Sequence, residues 1–529
     1  MITKVVLVHL LAYGVVGRTP AIPLALYRDV MTTQGTVRGY YAPHPRHYVF
    51  LGIPYARPPT RYDRFKSPKP PPSWSGIFEA THRVKCPQPD GSGEENCLVV
   101  NVFTPEHATS LPVIVHFHDG GYQKGWGSFK VPVKFLERSF VFVTFNYRLG
   151  VLGFLCLGTE DIPGNVGLKD QVAALYWVQK NIAKFGGNPS DITVYGTGSG
   201  AVSIEILLLS GLKTDLFQKV ILESGSVLSP TSIAIEPLSE ALNFAESLGV
   251  ESTGSNAFKE IYHLPVKNLV NTSNIFLPCI EKEFRSSYSI LNEDPRMIFQ
   301  NKKYQQVPMI IVYGNAEEVA VIASDTERFK TIPNDFQDLL PNNLIFDDED
   351  TKRKVAKLVK DFYFEEIELA DNVIRSYIDY INDVFIEYPI IKSATYYAYN
   401  ENPVFLMKFI YKSNRSNNKN ENIPGASSGD VYLYLSSNEY AGDDHEMVVE
   451  RLVTLWSNFI KLGDPTPITS PLIPEIWQPV VTRTVNREII LRNIPCLIFN
   501  RNMRNEELSG QQYTFWDRIY DKFYIKNSE

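Results

Sequence analysis

VYGTGSGAVS, Val194 to Ser203, joins an apolar strand to a helix of small residues through three glycines. A strand that enters a sharp glycine turn and leaves as a helix presents a nucleophile when the turn reads G-x-S-x-G, with the serine at its centre. Here the five positions are Gly196, Thr197, Gly198, Ser199 and Gly200. A glycine stands at the centre and the serine comes one place late. The frame is locked on the left by "FGGNPSDITVYG" (185–196) and on the right by "AVSIEILLLSG" (201–211). A one-residue slip would need an insertion and a compensating deletion inside the turn. The position is therefore a glycine, which tolerates strained backbone freely.

Outward from this turn, apolar strands alternate with helices. "LPVIVHFH" (111–118), "SFVFVTFN" (139–146), "DITVYG" (191–196), "QKVILES" (218–224), "VPMIIVYG" (307–314) and "NPVFLMKFIY" (402–411) read as strands. Runs apolar on both faces suit a sheet covered on both sides. "LKDQVAALYWVQKNIAKFGG" (168–187) has helical spacing and a Gly-Gly stop; 199–210, 345–385 and 445–463 also read as helical. Residues 35–105 are rich in Pro, Gly and aromatics, which predicts a meander of short strands and loops. The pattern predicts an α/β fold with a large, mostly parallel central sheet and helices on both faces. No repeat or clear linker divides the chain, so 18–529 reads as one domain.

The 529 residues are 44% hydrophobic and carry a net charge of −7. An acidic balance without a basic tract argues against a nucleic-acid partner. Residues 1–17 combine Lys4, a short apolar run and small residues near Gly17, the pattern of a secretory signal peptide. No later run is long enough to cross a bilayer, and the polar end "FWDRIYDKFYIKNSE" holds no anchor signal. A secreted, extracellular protein is expected. Secretion favours disulfides among Cys86, Cys97, Cys156, Cys279 and Cys496, and the odd count leaves at least one thiol free. Cys86 and Cys97 flank a turn-rich loop whose closure is worth roughly 3 kcal/mol. Asn271 and Asn414 open N-x-S/T sequons and are read as glycosylation sites on surface loops. No Cys/His spacing resembles a zinc site, and no metal or cofactor is expected.

Longer stretches carry a family resemblance. "FLGIPYARPP" (50–59), "ENCLVVNVFTP" (95–105), "FNYRLGVLGFL" (145–155), "GNVGLKDQVAAL" (164–175), "FGGNPSDITVYG" (185–196) and "LWSNFIKLGDPTP" (455–467) lie in order along the chain. Together they resemble the carboxylesterase/cholinesterase (type-B carboxylesterase) family. The resemblance covers nearly the whole chain beyond the leader. It implies the α/β-hydrolase fold, a Cys86–Cys97 disulfide, and a site built from a Ser-Glu-His triad and an oxyanion hole.

The chain departs from that pattern at the site. The nucleophile position is Gly198. The acid is best placed at Glu318 in "VYGNAEEVAV", with Glu317 as the neighbouring alternative; Val319 replaces the family's final glycine. The histidine position falls on Ser428 in "IPGASSGDVYLYL" (423–435), and serine is no base near neutral pH. His445, the only later histidine, reads as a surface residue at a helix start. "HFHDGGYQKG" (116–125) is similar to the family's H-G-G-G-F, with Asp119 in place of the first glycine. Gly120, Gly121 and Ser199 are the expected oxyanion-hole donors. A carboxylate beside them disfavours a developing oxyanion, or accepts those N–H groups itself.

In a serine hydrolase, loss of the serine or the histidine alone costs about 10⁶ in kcat. The resemblance thus implies a catalytically degenerate member, similar to the family's non-catalytic adhesion and interaction proteins. The first expectation is a secreted protein without ester hydrolase activity, acting on an unknown protein partner as monomer or homodimer. The alternatives are a carrier for a hydrophobic small molecule and a weak or atypical hydrolase using Ser199 or Glu318.

Overall fold

The computed structural model describes residues 26–524, apart from 129–130, 213–214, 251–256, 286–287, 303, 317–328, 330, 365–369, 414–415, 417–424, 437–442 and 486–487. The leader at 1–17, Glu317, Glu318 and Asn414 lie outside the described residues.

A 13-stranded sheet runs through the molecule. In spatial order its strands are Tyr27–Met31, Thr36–Ala42, His47–Pro54, Val99–Pro105, Val141–Phe145, Leu111–Phe117, Gly187–Thr197, Lys219–Glu223, Met309–Gly314, Val404–Phe409, Ile494–Phe499 and Met503–Leu508. Ile77–Glu79 attaches beside Thr36–Ala42. From Val141–Phe145 to Ile494–Phe499 every pairing is parallel. The margins are antiparallel, apart from the parallel pairing of Ile77–Glu79 with Thr36–Ala42. The short strands read in 35–105 form one of these margins.

Side chains alternate between the two faces of a strand. Val113, Val115 and Phe117 enter one apolar cluster while Ile114 enters the other. Likewise Met309, Ile311 and Tyr313 face one way and Ile310 and Val312 the other. Helices Val166–Asn181, Ser199–Leu209 and Gln511–Phe523 contribute to the first cluster. Helices Asp430–Leu435 and Asp443–Leu462 cover the second. This two-sided cover is why the central strands read as unbroken apolar runs.

The helical stretch expected over 345–385 extends further. After Glu349–Phe364 and Ala370–Asn382, a π-helical turn at Asp383–Glu387 leads into Tyr388–Tyr399. Pro389 sits at the start of that last helix, where a missing N–H is tolerated. Two disulfides are present, Cys86–Cys97 and Cys156–Cys279, and Cys496 is a buried free thiol. Among the described residues no helix is long and apolar enough to cross a membrane. Nor does any group of three or more His, Cys, Asp or Glu among them stand ready to hold a metal ion.

Candidate functional site

Strand Gly187–Thr197 runs into Gly198, and helix Ser199–Leu209 leaves from it. Gly198 has φ +50° and ψ −118°, a conformation that side-chain-bearing residues adopt only under strain. Its amide donates to the Glu223 carbonyl at 2.8 Å, and its carbonyl accepts from the amides of Ala201 and Val202. The turn is pressed against the strand beside it: a Cβ on Gly200 would lie 2.2 Å from the Phe117 carbonyl oxygen. A sharp, close-packed strand–turn–helix elbow thus centres on Gly198.

Asp119 follows strand Leu111–Phe117 and reaches across to this turn. Its Oδ1 accepts from the Ser199 amide at 2.9 Å, from the Ser199 hydroxyl at 3.1 Å and, at a long 3.4 Å, from the Gly121 amide. A Cβ built on Gly198 would come within 2.3 Å of Oδ1 and 2.5 Å of Oδ2. The carboxylate thus fills the space that a nucleophile's side chain would need. It also corrects the reading of Gly121 and Ser199 as open donors: their amides are turned to a carboxylate supplied by the chain itself. Of the two uses considered for Asp119, accepting the N–H groups is the one the geometry has.

Beside this contact lies a cavity of about 440 Å³. It brings Asp119, Gly120 and Thr197 together with Ser428, which stands just before helix Asp430–Leu435. Trp126, Tyr432 and Leu433 give it apolar walls, and Lys85 and Lys124 add two cations. His116 and His118 also line it. Both are buried, and among the described residues neither Nε2 has a hydrogen-bond partner. Burial lowers the His116 imidazole to about 3 and the His118 imidazole to about 4, so both rings are neutral at physiological pH. His118 stacks on Tyr147 at 4.5 Å and its Nδ1 lies 2.9 Å from the Asp119 carbonyl oxygen. His116 stacks on Tyr432 at 4.1 Å.

Behind the cavity, Glu223 ends its strand beneath helix Asp430–Leu435. It accepts from the Tyr195 hydroxyl at 2.5 Å, the Val431 amide at 3.0 Å and the Tyr432 amide at 3.2 Å. Burial pushes its carboxyl up to about 7 despite these donors. Glu205, on the elbow helix, is also raised to about 7 by burial. His116, His118, Glu223 and Glu205 escaped the sequence reading. The first two stood in the quoted "HFHDGG" stretch and resembled ordinary strand residues; nothing local marks the glutamates.

His445 is corrected. It is buried, 2% exposed, and packs against the rings of Tyr411 and Tyr434 rather than lying on the surface. Asn271 is exposed at the end of a short helix, Val266–Val270.

Comparison with known proteins follows the same lines. A family model described as "Carboxylesterase family" matches residues 27–516. Esterase FE4 of Myzus persicae is 32% identical over 474 residues, covering 82% of this chain and 83% of that protein. Juvenile hormone esterase of Heliothis virescens is 29% identical over 465 residues, covering 79% and 82%. The crystal structure of juvenile hormone esterase from Manduca sexta, with OTFP covalently attached, superposes with a TM-score of 0.79 at 25% identity, over 94% of this chain and 100% of that one.

Proposed function

This chain belongs to the carboxylesterase family, and from that premise we propose that it binds a small hydrophobic molecule in the cavity beside Asp119 without the serine–histidine route of acyl transfer. One observation carries the reading. The Asp119 carboxylate accepts from the Ser199 amide at 2.9 Å, in the place where a substrate's oxyanion would be stabilised. Gly198 and Ser428 support it, since neither the nucleophile position nor the base position carries a side chain suited to the reaction. The relatives compared above are named as esterases, which favours a small-molecule role over adhesion. Two disulfides support passage through an oxidising, secretory compartment.

A second reading rests on a different contact. The Ser199 hydroxyl donates to Asp119 Oδ1 at 3.1 Å, so a carboxylate stands by to take its proton in a weak or atypical hydrolase. One experiment separates the two. Purified protein is exposed to a fluorophosphonate and mapped by mass spectrometry, while an untreated sample is analysed under native conditions for retained small molecules. The first reading expects no labelled serine and a retained apolar ligand. Label on Ser199 that disappears in Ser199→Ala replaces it with the second.

A further inference from the structure

Resting on the reading that this cavity holds a small apolar molecule, we propose that the molecule is an acid. Its carboxylate is held by Lys85, Lys124 and the Gly120 amide, and its apolar body lies along Trp126, Tyr432 and Leu433. The chain as a whole is acidic, with a net charge of −7, yet this cavity runs the other way. Two lysines line it against the single carboxylate of Asp119. His116 and His118 add no charge near neutral pH, because burial lowers them to about 3 and about 4. Asp119 is itself partly engaged, since its Oδ1 accepts from the Ser199 amide and hydroxyl.

The fold brings the two lysines to one rim. Lys85 adjoins Cys86, whose disulfide with Cys97 closes the loop between them. Gln88 in that loop clasps the segment Lys124 to Trp126. Its Nε2 donates to the Gly125 carbonyl at 2.8 Å, and the Gly125 amide donates back to its Oε1 at 3.2 Å. Beside this clasp Lys85 Nζ lies over the Trp126 ring at 4.9 Å. Lys124 packs on Gly120: its amide donates to the Gly120 carbonyl at 3.1 Å, and a Cβ on Gly120 would lie 1.8 Å from the Lys124 carbonyl oxygen.

These donors are unspent. Neither lysine forms an ion pair among the described residues, and the Gly120 amide has no acceptor among them. Asp90 feels the Lys85 charge, but its Oδ1 is taken by the Ser92 amide and hydroxyl. Charge then selects the ligand. A hydrogen bond between ammonium and carboxylate is roughly twice as strong as one between neutral groups. The acid is therefore favoured over a neutral carbonyl compound of the same skeleton, and an amine is repelled by the two lysines.

The test uses three probes of one skeleton on the full chain: 2-naphthylacetate, 2-naphthylacetamide and 2-(2-naphthyl)ethylamine. Affinities are measured by calorimetry at neutral pH, in about 50 mM and about 500 mM salt. The acid is expected to bind about tenfold or more tighter than the amide in low salt, and the margin should shrink in high salt as the charges are screened. In the double variant Lys85→Gln, Lys124→Gln the acid should fall to the level of the amide, while the affinity for the amide holds. Lys85 is half-buried and Lys124 exposed, and the wild-type comparison stands even if the variant folds poorly. Equal affinity for acid and amide, a preference for the amine, or a preference for the acid that survives the double variant overturns the inference and leaves the cavity's binding role in place. Failure of all three to bind overturns both the inference and the reading beneath it.

Discussion

A Cβ on Gly198 would meet the carboxylate of Asp119 at 2.3 Å, so any side chain at this position requires that carboxylate to shift. Placing a serine at the elbow therefore displaces Asp119 from its present contact with Ser199. Gly198→Ser alone should destabilise the protein by about 1–3 kcal/mol through backbone strain, and by more through the collision with Asp119. Asp119→Gly in the same chain should recover part of that loss. A double-mutant cycle read by denaturant unfolding should give a favourable coupling of about 1 kcal/mol or more. Strict additivity would mean that Asp119 swings aside freely. That a glycine stands at the centre of the turn was legible in the sequence, because a strand and a helix pattern flank Gly198 on either side. The destination of the Asp119 side chain was not, because it depends on a contact across 80 residues. The unmet nitrogens of His116 and His118 were hidden for the same reason: burial and partnership are properties of neighbours that the chain brings from elsewhere.

Between elements, Glu223 joins the end of strand Lys219–Glu223 to the first amides of helix Asp430–Leu435, 208 residues away. That helix follows Ser428 and carries Tyr432, so the joint also sets one wall of the cavity. Burial raises the Glu223 carboxyl from 4.5 to about 7. A raised folded-state value favours the folded state most below pH 4.5, and the contribution is lost as pH rises through 7. At about 1.4 kcal/mol per pKa unit, the loss is ~3 kcal/mol for this group. His116 and His118 act in the opposite sense: their values are lowered, so their contribution is present above 6.5 and is lost as pH falls toward 4 and 3. The difference between Glu223→Gln and the wild type isolates the glutamate. The variant's Tm relative to wild type should rise steadily from pH 4.5 to pH 8. A constant difference across that range would place the carboxyl's titration elsewhere. The strands and helices themselves were readable from period and stop signals. The helical path through Pro389 was underestimated, because a proline reads as a break unless the π-helical turn before it is seen.

Across the whole molecule, the disulfides act on very different spans. Cys156–Cys279 closes a sequence separation of 123 residues and Cys86–Cys97 one of 11. Chain entropy gives about 5 kcal/mol for the longer loop and about 3 kcal/mol for the shorter. Replacing both Cys156 and Cys279 with serine should therefore lower stability more than replacing Cys86 and Cys97, as read by urea unfolding; the reverse order would show that native packing, not loop closure, dominates. Cys496 is buried and burial pushes its thiol up, so it should resist Ellman's reagent in the native protein and react as one thiol after denaturation. Reaction of the native protein would mean that the strand Ile494–Phe499 opens readily. The sequence by itself determined the α/β class, the run of parallel strands, and that a glycine, Gly198, stands at the centre of the strand–turn–helix elbow. Those depend on local periodicity and on linear matching, which survive without coordinates. Only the tertiary structure decided that Cys156 pairs with Cys279, that His445 is interior, and that Asp119 turns the donors of the elbow inward to itself. Each is a meeting of distant segments, and its energy comes from burial and hydrogen-bond geometry that exist only once the sheet has brought those segments together.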